Sequence, residues 1–580
     1  MTNLTDIRSS GASAAGIGTT VYNSVSALPS TGLSSGDQAF VESAGASGQS
    51  RLYISNGSGW YNVALINATP RLTLSSEGTI ALATDGSATT ITMTALDSDN
   101  ASGNLTLSVE SGGDLFKFAT VSQDSSVVTI TPRSEDSATT LGFDGSATLT
   151  FKATDGISIG SVVNTFTLSF TPDWTATLNE TIVTGTNTNG YFGGEQQTIS
   201  QTGTHLAVPE FGQNKVHVYL RSSTNTWASQ QVVTMTSAHN ASDAQAGRMG
   251  IDLDDDANRL IICSNYNDEG GSNRGKAYVY SRSSTTWSHE ATLAASDAAD
   301  NDQFGIGALL NSDGTYAVMA APGDDTSNTS RGALYVFTRS GTSWTQQAKI
   351  LPNLAQDWAQ MGGAHLQKIA LNSDATYVAA TVQKGYAGGE FDGAVEVWTR
   401  SGSTWSYQTI IEPPASNSTK SYFGSSIAMN STGEYLVIGA AADDRTVNQS
   451  GSVNVYFRSG TSWSSQLLAY PTSGYSSYSA VGECCTINDE GTLMAVGAYG
   501  AENGSNSVSG KVFIYQRSGT SWSLVKTLQP SDASSSSGGY PRHFSYRSIR
   551  FSGNGKYLLV GNDYGNSSSH EGRFLVYYTP

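Results

Sequence analysis

The stretch Asp173-Trp174-Thr175-Ala176-Thr177-Leu178 is one piece of a repeat whose other copies lie further along the chain. Six later segments share its shape, each with a Trp shortly after an Arg-Ser pair. They are Arg221-Ser222 before Trp227, Arg282-Ser283 before Trp287, Arg339-Ser340 before Trp344, Arg400-Ser401 before Trp405, Arg458-Ser459 before Trp463 and Arg517-Ser518 before Trp522. From Trp174 onward the Trp positions are separated by 53, 60, 57, 61, 58 and 59 residues. A period that long and that regular means stacked or radial repetition of one supersecondary unit.

Each Arg-Ser pair follows a strand of one design, alternating apolar and polar with an aromatic near its end. The copies include Val216-His217-Val218-Tyr219, Leu334-Tyr335-Val336-Phe337 and Val512-Phe513-Ile514-Tyr515. The seventh, Phe574-Leu575-Val576-Tyr577, has no Trp strand after it, and Trp174 has no partner strand before it. The expectation is that residues 174–183 supply the missing outer strand of the last unit. A ring closed by its own two ends is how a β-propeller removes its open edges.

Within the repeat, each unit opens on a motif such as Tyr191-Phe192-Gly193, Phe304-Gly305 or Phe423-Gly424, with weaker versions at Met249-Gly250, Met361-Gly362, Val481-Gly482 and Phe544-Ser545. A tight turn follows, as in Asn311-Ser312-Asp313-Gly314 and Asn430-Ser431-Thr432-Gly433, and then an apolar strand such as Leu436-Val437-Ile438-Gly439. This unit resembles the FG-GAP repeat, the blade of integrin α-chain propellers and of many bacterial and phage proteins; Phe304-Gly305 with Ala320-Ala321-Pro322-Gly323 is the best copy. The resemblance implies four strands per unit and a seven-bladed propeller over residues 173–580. It also implies calcium loops between first and second strands. Here those turns are short, and the acidic exception, Asp252-Leu253-Asp254-Asp255-Asp256, lacks the Gly that folds such a loop around an ion. No cofactor is therefore expected, with Ca²⁺ as the alternative.

Composition agrees with an all-β class. Of 580 residues only 13% are charged and 62 are Gly, and short alternating runs sit between Gly, Ser, Asn and Asp clusters. The formal net charge of −18 repels phosphate backbones, so no nucleic-acid partner is expected. Cys263, Cys484 and Cys485 read as buried small apolar residues. The N-terminus shows no signal peptide and no run suits membrane insertion, so a soluble chain without a secretion signal is expected.

Residues 71–172 carry candidate strands at 71–74, 79–82, 89–95, 104–109, 116–121, 127–131, 147–153 and 162–170, the pattern of a two-sheet sandwich. Ala95-Leu96-Asp97-Ser98-Asp99-Asn100 and Ala153-Thr154-Asp155-Gly156 are similar to the acidic motifs of cadherin-like domains. Three carboxylates fall short of a calcium site, and ordinary Asx-turns explain them. Residues 1–70 hold a hairpin, Arg51-Leu52-Tyr53-Ile54-Ser55 turning at Asn56-Gly57-Ser58-Gly59 into Trp60-Tyr61-Asn62-Val63. With the preceding Gly36-Asp37-Gln38-Ala39-Phe40-Val41, this segment resembles a module near the start of virion fibre and other structural proteins of marine tailed bacteriophages. The resemblance implies an anchor to other virion proteins.

Repetition separates architecture from function. A residue present in every unit, such as Trp174, Trp227, Trp287, Trp344, Trp405, Trp463 or Trp522, is a packing element, because one site does not need seven copies. The turns between first and second and between third and fourth strands are brief. The other connections are long and irregular, and in a propeller they emerge on one face. That looped face offers Tyr266, Trp358, Tyr386, Phe391, Tyr475, Tyr478, Tyr540 and Tyr564, rings suited to stack on sugars or anchor a protein contact.

Catalysis has little support: Gly32-Leu33-Ser34-Ser35-Gly36 sits in a Gly/Ser-rich loop and the His residues show no metal-ligand spacing. The expected protein is not an enzyme but a phage tail fibre or spike that binds a host surface glycan or protein, displayed as a homo-oligomer such as a trimer. The alternatives are a capsid-attached fibre or decoration protein, a calcium-dependent adhesin, and a glycan-degrading propeller enzyme.

Overall fold

Alternation of apolar and polar residues with period two, broken every few residues by Gly, Asn, Ser and Asp, leaves this chain no long helical stripe to bury. In the computed structural model the described residues are 20–44, 49–63, 69–83, 87–97, 105–111, 119–132, 145–168, 174–175, 178–185, 187, 190–193, 195–223, 226–235, 245–326, 329–363, 367–383, 393–414, 421–444, 448–469, 478–501, 510–530, 544–562 and 572–579. Among them there is no α-helix, only strands and two single turns of 3₁₀ helix, Val25–Ala27 and Phe211–Gln213. The chain divides into two compact units, residues 1–134 with 143–169, and residues 135–142 with 170–580.

The first unit contains three four-stranded sheets. One is made of Thr20–Tyr22, Ser35–Ala44, Gln49–Asn56 and Trp60–Val63. Its turn is fixed by Asn56, whose Oδ1 accepts the N–H groups of Ser58 and Gly59, both at 2.9 Å. Its core is small: Ala39, Val41 and Tyr53, with Trp60 packed on them. The strand Thr20–Tyr22, which pairs parallel to the second strand, is not apparent in the sequence. The other two sheets are Arg71–Leu74, Thr89–Leu96, Val127–Pro132 and Ala119–Asp124, and Thr79–Ala81, Ile159–Leu168, Gly145–Thr154 and Thr106–Ser111, in those spatial orders. Alternate residues are buried, Ile91 and Met93 in one and Leu149, Phe151 and Ala153 in the other. Asp155 forms the expected Asx-turn, its Oδ1 accepting the N–H groups of Ile157 and Ser158.

The second unit contains seven four-stranded antiparallel sheets. The first is Thr198–Ile199, His205–Glu210, Lys215–Ser223 and Thr226–Thr234; the second Ile251–Leu253, Arg259–Ser264, Lys276–Ser283 and Thr286–Leu293; the third Gly307–Leu310, Tyr316–Ala321, Ala333–Ser340 and Ser343–Ile350. The fourth is Ile369–Leu371, Tyr377–Val382, Ala394–Ser401 and Thr404–Ile411; the fifth Phe423–Met429, Tyr435–Ala440, Ser452–Ser459 and Ser462–Ala469; the sixth Cys485–Ile487, Leu493–Ala498, Lys511–Ser518 and Ser521–Leu528. The seventh takes three strands from the end of the chain, Phe544–Phe551, Tyr557–Asn562 and Arg573–Tyr578, and its outer strand, Asn179–Thr184, from the beginning of the unit. Asn179 pairs with Tyr578 and Thr184 with Arg573.

Trp174 stands apart from its six homologues. The others are the second residue of an outer strand and pair across the hairpin with the repeated Arg, as in Arg400 with Trp405. Trp174 precedes its strand, fully buried between the sixth and seventh sheets, and its Nε1 donates to the Gly555 carbonyl at 2.8 Å.

The cores lie between sheets, not within them. Ile261 and Val279 of the second sheet pack with Met319 and Tyr335 of the third. Leu206 and Val208 of the first pack with Leu559 and Val576 of the seventh. Two repeated polar devices tie neighbours together. Trp Nε1 donates to the outer strand of the preceding sheet: Trp287 to Gln230 at 2.8 Å, Trp344 to Glu290 at 2.9 Å, Trp463 to Gln408 at 2.9 Å. The Arg guanidinium holds a carbonyl of its own sheet's first turn and lies over a Tyr of the preceding sheet. Arg458 donates from Nε to the Gly433 carbonyl at 2.8 Å with Tyr377 4.0 Å away, and Arg517 donates to Gly491 at 2.7 Å with Tyr435 4.5 Å away. All three cysteines are free thiols in these cores.

Candidate functional site: the looped face and the central channel

The opening motif explains how the first strands are placed. In Phe304-Gly305 the Phe ring is fully buried against Tyr335 and Phe337. Gly305 has φ +90° and donates its N–H to the Ala320 carbonyl, and a Cβ there would lie 2.9 Å from Cys263 Cβ of the preceding sheet, so both the backbone conformation and the packing against that side chain favour glycine. The equivalent bond in the second sheet is made by Gly247, at φ +77°, to the Cys263 carbonyl. The opening there is Ala246-Gly247, not Met249-Gly250: the small Ala246 fills the place of the Phe, which hid the motif.

Loops entering the first strands are tied to the loops between second and third strands. Asn301, Trp358 and Tyr478 occupy one place in three repeats, all at positive φ (68°, 61° and 66°). Their N–H groups donate to the carbonyls of Ser272, Thr329 and Asn448 at 2.8, 2.8 and 3.0 Å. Trp358 is 38% exposed and Tyr478 59%. The backbone thus presents two rings outward from fixed points. Tyr422, 50% exposed and also at positive φ, joins them and was not singled out in the sequence. Tyr266 is half-buried in its loop. Tyr386, Phe391, Tyr475, Tyr540 and Tyr564 lie outside the described residues.

Between the first strands runs a channel with a cavity of about 130 Å³. Its walls come from all seven sheets, Ile199, Leu253, Leu309, Ile369, Ile427, Ile487 and Phe551 among them. At the face opposite the looped one, plain because the short turns between first and second and between third and fourth strands lie there, it is bordered by turn residues. Backbone N–H groups of Asp255, Ser312, Ser373, Ser431, Asp489 and Gly553 each donate to the next turn, ending on the Gln201 carbonyl, at 2.9–3.2 Å. Six bonds thereby link seven turns. A Cβ on Gly553 would fall 1.9 Å from the Gln201 side chain and 2.2 Å from Asp489 Oδ2, so these side chains crowd against the Gly553 turn and line the cavity there. Burial, reinforced by Asp489 and the neighbouring aspartates, pushes the Asp255 carboxyl up to about 8; burial, then Glu490, pushes Asp489 up to about 7.

Midway, buried Asp252 pairs with Arg550 at 2.8 Å, and accepts from Thr198 Oγ1 and the Leu310 N–H, both at 3.0 Å. At the looped-face mouth Arg547 Nη1 donates to both oxygens of Glu195 at 2.8 Å, and Arg248 Nε to the same carboxylate at 3.3 Å. Lys368 Nζ donates to the Gly424 carbonyl at 2.8 Å; burial lowers its pKa to about 8, opposed by Glu483. Burial raises the Glu483 carboxyl, against the pull of Lys368 and Arg547.

Sequence reasoning missed this charged mouth. The signal was present: Glu195, Glu483 and Arg547 stand at one repeat position, five before the turn residues Ser200, Asn488 and Ser552, where other repeats carry Met249, Ile306 and Ser425. The repeated arginines are elsewhere, at the plain face, on the turn carbonyls.

The acidic segment expected to be the best calcium candidate is used otherwise. Asp252 is paired with Arg550, and Asp254 Oδ1 accepts the N–H groups of Asn258 and Arg259 at 2.6 and 2.9 Å. Among the described residues no group of three or more His, Cys, Asp or Glu is placed to share a metal ion. The residues present do not fit the calcium loops of the FG-GAP family.

The FG-GAP repeat family matches residues 287–337 and 405–456. The chain is an all-β protein carrying FG-GAP repeats in a β-propeller. No curated protein matches it. Among solved structures, hydrazine synthase of Kuenenia stuttgartiensis is similar at 12% identity and a TM-score of 0.43, over 68% of this chain and 97% of that one. The β-propeller domain of Cps50 (Swd1) from Myceliophteria thermophila gives 10% and 0.43, over 69% and 100%. The β-propeller domain of the Trilobed protease from Pyrococcus furiosus gives 8% and 0.38, over 68% and 94%.

Proposed function

We propose that the chain is a bacteriophage virion appendage protein, a tail fibre or spike, that binds the host cell surface through the looped face of a closed seven-bladed propeller. The observation that carries the binding role is the pair Trp358 and Tyr478, exposed rings at positive φ fixed by backbone bonds to Thr329 and Asn448. An aromatic already held in place loses little freedom when it stacks on a sugar or a protein side chain. Closure is supported by the outer strand Asn179–Thr184 on Arg573–Tyr578 and by the bonds linking seven turns. The virion assignment rests on the resemblance of residues 36–67 to phage structural modules.

In this reading residues 1–70 join other virion proteins and the two sheets between Arg71 and Leu168 form a cadherin-like sandwich spacer. The copies assemble as a homo-oligomer, a trimer for example, so that weak contacts sum. Electron microscopy of particles labelled within residues 1–70, with an adsorption assay in which the soluble full chain competes, tests it. A tail-borne label and fewer adsorbed particles are expected. A label on the head would transfer the protein to the capsid-fibre class, and a chain absent from particles would overturn the virion reading.

A further inference from the structure

The mouth of the channel gathers groups whose hydrogen-bonding capacity is unfilled. Gln196 is 5% exposed and lines the channel, yet its Oε1 is buried with no partner among the described residues. Half-buried Glu483 makes no side-chain hydrogen bond or ion pair among the described residues, although it lies close enough to Lys368 and Arg547 to feel both charges. Arg248 uses Nε on Glu195 and Nη1 on Gln245, and its Nη2 has no partner among the described residues. Lys368 uses one of three N–H groups, on Gly424. Two acceptors and two cations thus stand ready for a bound molecule, and a buried unpaired acceptor costs free energy until one arrives.

The charge narrows the choice. Arg248, Lys368 and Arg547 against Glu195 and Glu483 leave the mouth positive, on a chain whose net charge is −18. A net anion is favoured there. A simple inorganic anion would satisfy the cations and set more acceptors against Gln196 Oε1 and Glu483. A molecule with a carboxylate and several hydroxyls satisfies both sets, its hydroxyls donating to Gln196 and Glu483. Chain connectivity points the same way: the loop carrying Trp358 leads into the first strand beside Lys368, and the loop carrying Tyr478 leads to Glu483.

We infer that the looped-face mouth of the channel is a binding site for the acidic sugar unit of a glycan, its carboxylate held by Arg248 and Lys368 and its hydroxyls by Gln196 and Glu483. This rests on the looped face being the binding face and names the ligand class that face accepts. The test is calorimetry of the full chain with a glucuronate-terminated tetrasaccharide and with the same tetrasaccharide after carboxyl reduction. The acidic form is expected to bind at least tenfold tighter; Lys368→Met and Arg248→Gln should each remove that advantage, and Arg248→Lys should keep part of it. Acetate at the same concentration should not displace the sugar. Equal affinity for the two tetrasaccharides, unchanged affinity in folded Lys368→Met, or displacement by acetate would overturn the inference. If Trp358→Ala with Tyr478→Ala abolishes glycan binding while Lys368→Met leaves it intact, the site fails and the face stands. If neither tetrasaccharide binds, both fail.

Discussion

At the plain face, five arginines in five successive sheets make one set of contacts: Arg282, Arg339, Arg400, Arg458 and Arg517 each donate from Nε to a turn carbonyl at 2.6–2.8 Å. At the looped face the corresponding positions differ from sheet to sheet, Asn301 in one, exposed Trp358 in another, exposed Tyr478 in a third. At the plain face the arginines repeat one set of carbonyl partners, while the looped face holds side chains outward and leaves Gln196 Oε1 without a partner among the described residues at the channel mouth. A repeat protein needs the same joint at every seam, so sameness marks the joints and difference marks what selection could vary without opening a seam.

Trp174→Ala should break this scheme most severely. It empties a fully buried indole between the sixth and seventh sheets, and large-to-small changes of that kind cost about 3–5 kcal/mol. Calorimetric melting of the full chain checks it; a loss below about 1 kcal/mol would mean the seam does not depend on that ring. Arg517→Ala removes charge-assisted bonds to Gly491 and Gly519 and the stack on Tyr435, and should cost about 2 kcal/mol, with Arg517→Lys recovering only part because an ammonium lacks the fork. Trp463→Phe loses the bond to Gln408 and the five-membered edge of a partly buried indole while keeping an aromatic ring there, for about 1 kcal/mol.

A pH series sharpens the contrast between throat and surface. The folded Asp255 and Asp489 carboxyls sit above their unfolded values, at about 8 and about 7, so the folded state binds more protons across the interval from about pH 4 to pH 8. Their contribution therefore falls as pH rises through that window. Asp255→Asn with Asp489→Asn should raise the Tm at pH 8 and do so progressively less toward pH 5. Buried His205 works in the opposite sense. Burial, with Arg282 nearby, lowers it to about 3, so the unfolded chain takes up its proton first and stability is lost as pH falls below about 6.5. The smallest effect on stability is expected for Trp358→Ala and Tyr478→Ala, within about 0.5 kcal/mol.

Much of the scaffold was legible in the sequence because it is repeated. The Trp and Arg columns fixed the period, and strand alternation gave the hairpins. An unpaired last strand pointed to Asn179–Thr184, although Trp174 proved to be a core residue ahead of that strand. The Ala246-Gly247 opening was hidden because a small residue stands where the repeat usually carries Phe. The charged mouth was hidden for a deeper reason. Arg248 and Arg547 are 299 residues apart and meet on one Glu195 carboxylate only when the seventh sheet lies beside the first. Spacing along a chain carries no trace of such a meeting; a column comparison of the repeats brings out Glu195, Glu483 and Arg547, although not Arg248, which stands one position off that column.

The central claim is that the irregular face binds and the regular face holds the ring together. It is tested most directly by measuring binding of the full chain to immobilised host surface glycan for two folded double variants, Trp358→Ala with Tyr478→Ala, and Arg400→Lys with Arg458→Lys. The account predicts at least a tenfold loss for the first and wild-type binding for the second. Wild-type binding by the first, or an equal loss in both, would contradict it.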